Sequence, residues 1–179
     1  VYAATVGSYD GLMDEVHVRL LLPADAVSYI ELLDDIDRES KFLLWEPGER
    51  TIEAEGLSAR IAACDRTQRL QLVAEADEGL VGFLVCHRGA VRRLRHRCDF
   101  TMAIRRDQQR RGIGAQLLRS MQDWAREQGI ERIELTVMAN NHGAMSLYER
   151  NGFTVEGVKR GAIVVDGTAV DEIVMGMRL

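Results

Sequence analysis

Between Ile104 and Ala115 the chain reads I-R-R-D-Q-Q-R-R-G-I-G-A, an apolar run giving way to a glycine-containing turn and then to an amphipathic stretch. A glycine turn at a helix N-terminus exposes backbone N–H groups whose dipoles and donors favour phosphate oxygens, and glycine permits close approach. Flanking arginines add charge, so the segment suits an anionic diphosphate. Two stricter phosphate motifs fail on spacing. No glycine is followed by lysine and a hydroxyl residue as a P-loop requires, and the third position after Gly114 is Leu117 where a dinucleotide fingerprint needs glycine.

Q-R-R-G-I-G at 109–114 resembles the [QR]-x-x-G-x-[GA] element of the GNAT superfamily of acetyl-CoA-dependent N-acetyltransferases. The resemblance extends to V-M-A-N-N-H-G-A-M-S-L-Y-E-R-N-G-F at 137–153, which is similar to V-x-x-x-N-x-x-A-x-x-L-Y-x-x-x-G-F through Val137, Asn141, Ala144, Leu147, Tyr148, Gly152 and Phe153. It implies an α/β fold: a mixed, mostly antiparallel sheet flanked by helices, with the fourth and fifth strands parallel and splayed. It implies acetyl-CoA as cosubstrate, its pantetheine arm pairing with Met102, Ala103 and Ile104. By the same match Gln109 belongs to the pyrophosphate element, whose N–H groups run over Arg110, Arg111, Gly112, Ile113, Gly114 and Ala115. Asn141 would bond the pantetheine or cap a helix, and Tyr148 would protonate the leaving sulfur or simply pack its ring on the sheet.

The implied activity is transfer of an acetyl group to a primary amine by direct attack. Such a reaction needs a neutral nucleophile, a stabilised oxyanion and a protonated leaving thiol. An alkyl ammonium of pKa ~10.4 loses its proton at a cost of about 4.6 kcal/mol at pH 7, an α-amino group at only ~1 kcal/mol. The base is not supplied by the resemblance, because the positions of two family glutamates hold Thr136 and Cys98. Glu134 is the first substitute, Asp99 the second and Glu172 the third; a water chain to bulk is the alternative to all three. Two other functions compete with catalysis: a CoA-binding sensor or interaction module with little turnover, and nucleic-acid binding through the arginines. The second has no interleaved aromatics beyond Phe100 in 88–111.

The elements that must position these residues follow from periodicity. Val16–Leu22 reads as a strand, Asp25 caps a helix to about Asp37, and Thr51–Ala63 is a second helix after the Pro47-Gly48 turn. Leu70–Ala76 and Leu80–His87 form a hairpin, and Cys98–Ile104 is a further strand. Ile113, Leu117, Leu118, Met121, Trp124 and Ala125 recur at helical spacing to about Gln128, with Gly129 as terminator. Ile133–Val137 alternates as a strand, Asn141–Arg150 is a helix, and Phe153–Val165 and Val170–Arg178 are strands. Polar residues alternate on both central strands, Asp99 and Thr101 on one, Glu134 and Thr136 on the other. Fully buried strands are apolar throughout, so either a cleft or an exposed sheet face is expected there.

With 179 residues and 46% apolar content the chain fits one folding unit, taken as 16–179, with 1–15 as a mobile N-terminal extension. Three cysteines without C-x-x-C spacing and four scattered histidines give no metal motif, so none is expected. No apolar run is long enough to cross a bilayer, and no basic-then-apolar leader is read. A cytoplasmic protein with no membrane or nucleic-acid partner is expected, and a homodimer is compatible with the sequence.

Net charge is −5, unevenly spread: residues 1–79 stand at −10, while 88–111 stand at +7 through nine arginines. The arginine run is read as part of the diphosphate site, a solvated loop being the alternative. The resemblance implies that the amine enters opposite the cofactor, over the first two helices and the late strands, and Asp34, Asp35, Asp37, Glu39, Glu46 and Glu49 crowd that entry loop with Phe42 and Trp45. That pattern predicts a small cationic amine first, a basic protein N-terminus second and a neutral amino-acid amine below both as acceptor.

Overall fold

The computed structural model describes residues 15–179; residues 1–14, nearly all of the expected extension, lie outside the described residues. Among the described residues, seven strands and four α-helices occur in the expected order. They are β1 (His17–Leu20), α1 (Ala26–Glu39), α2 (Ala54–Ala62), β2 (Arg69–Ala76), β3 (Gly79–Arg88), β4 (Arg97–Ile104), α3 (Ile113–Glu127), β5 (Arg132–Met138), α4 (His142–Arg150), β6 (Thr154–Val165) and β7 (Thr168–Arg178). The strands form one sheet in the order β1-β2-β3-β4-β5-β7-β6. Every neighbouring pair is antiparallel except β4 and β5.

That parallel pair closes over only three registers, Arg97 with Arg132, Cys98 with Ile133 and Asp99 with Glu134. Beyond Asp99 and Glu134 the strands part. The upper half of β4 stays paired with β3, up to Ile104 opposite Gly82, while β5 stays paired with β7, up to Met138 opposite Glu172. The splayed fourth and fifth strands are therefore present.

Two apolar clusters sandwich the sheet. On one face α3 sets Leu117, Leu118, Met121 and Ala125 against Leu72, Leu84, Ile133, Leu135 and Met175, with Tyr148 and Phe153 in the same cluster. On the other, Tyr29, Leu33 and Ile36 of α1 and Leu57 and Ile61 of α2 cover Val73, Leu80 and Phe83. β2 and β3 are buried on both faces, which is why they read as near-continuous apolar runs. The second cluster reaches β4 only at Ala103; below it Thr101 and Asp99 are exposed, as is Thr136 on β5. The polar alternation of the central strands therefore marks a sheet face that α1 and α2 leave open.

Helix starts differ from expectation for identifiable reasons. Asp25 stands at the start of α1, yet its carboxylate does not cap that helix: Oδ2 accepts from the Leu22 N–H at 2.8 Å and pairs with Arg19 at 2.7 Å. The α2 helix begins at Ala54 rather than Thr51 and has no side-chain cap.

Candidate functional site

The N-terminus of α3 is built by two left-handed residues. Arg110 has φ 63° and Gly112 φ 82°, and Gly112 is the N-cap. Gln116 closes the first helical bond, on the Gly112 carbonyl at 3.1 Å, and the N–H groups of Gly112, Ile113, Gly114 and Ala115 have no acceptor among the described residues. Alternation of left-handed and ordinary residues aims successive N–H groups into one concavity, and the helix dipole adds to it.

The two glycines serve different ends. A Cβ on Gly112 would meet nothing within 4 Å, so glycine is required there by its φ, and open space faces it. A Cβ on Gly114 would lie 2.7 Å from Leu147 Cδ2 and 3.4 Å from Ile104 Cδ1 and Met102 Cε. Gly114 thus lets α3, α4 and the end of β4 converge on one point.

The loop leading to the turn is fastened on several sides. Gln109 Nε2 donates to the Ile104 carbonyl at 3.1 Å, the Arg106 N–H donates to Glu39 Oε2 at 2.9 Å, and buried Gln108 donates to Glu78 at 2.5 Å while accepting from Arg111. The Gln109 amide, expected at the cofactor, is thus spent on the end of its own strand and supports the turn. Arg110 is exposed and has no ion-pair partner among the described residues.

The arginine run does not form one patch. Arg105, Arg106, Arg110 and Arg111 flank the turn, but Arg88, Arg92, Arg93, Arg95 and Arg97 lie at or beyond the opposite end of β4. An eight-residue strand separates the groups by roughly 25 Å. The expectation that the whole +7 segment serves the diphosphate is corrected to its second half, because β4 runs between the two groups and carries them apart.

Tyr148 projects from α4 into a three-ring cluster, 5.8 Å from Phe100 and 5.9 Å from Phe153 in edge-on contacts. Only 8% of it is exposed, and burial pushes its phenol pKa up to about 12. The hydroxyl has no hydrogen-bond partner among the described residues. Asn141 caps α4, its Oδ1 accepting from the Ala144 N–H at 3.1 Å.

The three carboxylates proposed as base are not equivalent. Both oxygens of Glu134 are held, one by Arg97 and the other by Arg132 Nε at 2.7 Å, and Arg132 goes on to Glu156 of β6. Gly176 makes room for that last pair, since its Cβ would lie 2.7 Å from Glu156 Oε1. The chain Arg97–Glu134–Arg132–Glu156 therefore fastens the closed end of the splay across β4, β5 and β6. Glu172 faces Lys159 Nζ at 3.5 Å. Asp99, exposed on the open face, makes no hydrogen bond or ion pair among the described residues.

Over the same face, Lys41 reaches Asp166 in the β6–β7 turn at 2.5 Å. The loop after α1 is anchored by Leu43 against the α1 cluster, whereas Phe42, Leu44 and Trp45 stay exposed and Trp45 carries the Arg50 guanidinium 5.3 Å above its ring. The acidic residues of this region are largely engaged: Asp34 and Asp35 with Arg38, buried Asp37 with Arg50, Glu39 with the Arg106 N–H and Glu49 with the Glu46 N–H. Among the described residues no group of three or more His, Cys, Asp or Glu side chains could hold a metal, and no helix is long and apolar enough to cross a membrane.

Taken together, a donor-lined turn faces the mouth of a gap between two parallel strands, with a buried phenol from α4 beside one of them. The described residues fit a diphosphate ester with an extended arm: free N–H groups, open space before Gly112 and an unpaired arginine at one end, parted strand edges at the other.

The acetyltransferase (GNAT) family model matches residues 30–153. An L-amino acid N-acetyltransferase of Escherichia coli K12 is 33% identical over 115 residues, covering 62% of this chain and 69% of that protein. A ribosomal protein bS18 alanine N-acetyltransferase of the same organism is 32% identical over 78 residues, and the match spans about half of it, 53%, and 44% of this chain. Among solved structures, a GNAT acetyltransferase of Streptococcus pneumoniae superposes with a TM-score of 0.86 at 25% identity over 92% of this chain and 99% of that one. A putative acetyltransferase of Salmonella typhimurium, solved with its cofactor acetyl-CoA, shares the fold at a TM-score of 0.79 and 21% identity over 92% of this chain and 94% of that one. The chain thus belongs to the acetyltransferase (GNAT) family.

Proposed function

We propose that the protein acetylates a primary amine presented on the open face of β4 and β5, with acetyl-CoA entering the splay from the α3 and α4 side. The observation that carries this reading is the set of four acceptor-free N–H groups at the start of α3, placed where the two strands part. Gly112, Ile113, Gly114 and Ala115 hold the diphosphate through the backbone, Arg110 adds charge, and the parted edge from Met102 to Ile104 pairs with the extended arm. Gln109 and Arg111 hold the turn in shape. Asn141 caps α4 through Oδ1 and leaves its Nδ2 donors for the arm.

Tyr148 is the proton donor to the leaving sulfur. Burial keeps the phenol protonated through the neutral range, and its hydroxyl is not consumed by a protein acceptor. Asp99 is the base in this reading. Glu134, whose two oxygens each serve a guanidinium, would have to break a charge-assisted bond to accept a proton. The ammonium gives one proton to Asp99 and the neutral amine attacks the thioester carbonyl; the C–S bond breaks as the sulfur takes the Tyr148 proton, and the second nitrogen proton, lost as the amide forms, returns through water to the Tyr148 phenolate.

For the acceptor, the carboxylates expected to attract a cation are mostly occupied within the fold. The two relatives named above act, by their names, on amino acids and on a protein alanine, both α-amines. An α-amino group of an amino acid or protein N-terminus is the acceptor proposed first. A small cationic amine follows, supported by the −10 balance of residues 1–79. The test is colorimetric thiol release from acetyl-CoA with L-alanine, an alanine-initiated peptide and spermidine. Release with an α-amine supports the reading, and binding of acetyl-CoA without release from any of the three supports the sensor alternative.

A further inference from the structure

One register row crosses the open face of the sheet. Arg69 of β2 lies opposite His87 of β3, His87 opposite Asp99 of β4, and Asp99 opposite Glu134 of β5. Directly opposed residues on one face place their Cβ atoms about 5 Å apart, so this is a continuous polar line leading outward from the foot of the splay. Its members differ in freedom. Glu134 is clamped by Arg97 and Arg132, while Asp99 and His87 are both exposed and neither forms an ion pair among the described residues.

We propose that His87 is the outer member of a proton path from the acceptor amine, acting through Asp99. The inference rests on the acetyl-transfer reading above. The ammonium N–H bond breaks as the Asp99 O–H bond forms; the proton then passes to the neutral imidazole, directly or over one water, and from there to solvent. The step has a geometric reason. An acceptor lying over β4 covers Asp99, whereas His87 sits one strand further from the splay, on the side that remains open.

The charges around His87 suit the task. Partial shielding of the ring from water chiefly, and Arg69 on β2 next, hold its pKa below the ordinary histidine range although much of the side chain is exposed, and Asp99 on β4 opposes them. The imidazole is therefore neutral and able to accept at pH 7. Glu134 on β5, beyond Asp99, has its charge matched by Arg97 and Arg132. His87 touches neither cosubstrate nor acceptor in this arrangement; it positions and drains the proton of Asp99.

The experiment measures kcat and KM from pH 5.5 to 9 for the wild type, His87→Gln, His87→Ala and Asp99→Asn, with the fastest acceptor among L-alanine, an alanine-initiated peptide and spermidine. Acetyl-CoA affinity is followed separately by calorimetry. Expected are a fall in kcat of about tenfold at pH 7 for His87→Gln, KM for acetyl-CoA within about twofold, and loss of an acid limb that lies below the ordinary histidine range in the wild type. Added imidazole should restore His87→Ala and leave Asp99→Asn unchanged. An acid limb at the same pH in His87→Gln, with kcat within about twofold of wild type, overturns the proposal. A wild type that binds acetyl-CoA but transfers to none of the three amines overturns the acetyl-transfer reading itself, a distinguishable result.

Discussion

Tyr148 holds two positions with one side chain: its ring completes a cluster with Phe100 and Phe153, and its hydroxyl remains without a protein partner. Tyr148→Phe keeps the ring and removes the donor. It should lower kcat about 100-fold with acetyl-CoA affinity within about twofold, measured by steady-state kinetics and calorimetry. Unchanged kcat with a lower melting temperature would assign the residue to packing alone. At Gly112 the backbone φ of 82° excludes β-branched residues without strain, while open space shows that no core is disturbed. Gly112→Val is expected to weaken acetyl-CoA binding at least tenfold in a folded protein. The two carboxylates separate in the same manner. Asp99→Asn should abolish most turnover with little change in stability, whereas Glu134→Gln should act mainly on melting temperature, because it loosens Arg97 and Arg132 at the closed end of the splay.

Elements meet at Gly114, where the start of α3 touches Leu147 of α4 and the end of β4. A methyl group there cannot be accommodated at 2.7 Å from Leu147 Cδ2 without a shift of the Leu147 side chain. Gly114→Ala should cost about 1–3 kcal/mol by overpacking and also displace the turn, and Leu147→Val in the same chain should recover part of both losses. Chemical denaturation with parallel calorimetry reads the two effects. The α4 helix carries a second separable test. Asn141→Ala removes the cap to the Ala144 N–H and should cost about 1 kcal/mol. Any rise in KM for acetyl-CoA beyond that of Asn141→Asp, which keeps the cap acceptor and loses the Nδ2 donors, cannot come from the amide donors.

At the scale of the molecule, the buried phenols couple folding to alkaline pH. Tyr29 and Tyr148 both have pKa values pushed up to about 12 by burial, against ~10 in an unfolded chain. Above pH 10 the unfolded chain releases protons that the folded one retains, so stability is full below pH 10 and lost progressively up to pH 12. The loss approaches about 2–3 kcal/mol per tyrosine. Denaturant midpoints at pH 9, 10 and 11 should fall in the wild type and fall less steeply in Tyr148→Phe; equal slopes would refute the assignment. Salt addresses the acceptor. If the acidic first half attracts a cation, kcat/KM for spermidine should drop with ionic strength while that for L-alanine stays nearly flat.

Element order and the two signature segments were legible without coordinates, because helical and alternating periodicities are local and the glycine turn declares itself by type. The register of β4 against β5 was not, since it depends on how far two strands distant in sequence remain paired, and that distance sets where the gap opens. The same register decided which carboxylate is free. Glu134 and Asp99 look alike as polar residues on alternating strands, and only packing brought Arg97 and Arg132 to one of them and left the other bare. His87 escaped notice because a lone histidine in a hairpin strand signals nothing until β3 and β4 set it opposite Asp99. The arginine run marks the limit of composition: contiguous charge in sequence became two groups at opposite ends of a strand, because an extended backbone separates its ends by about 3.3 Å per residue.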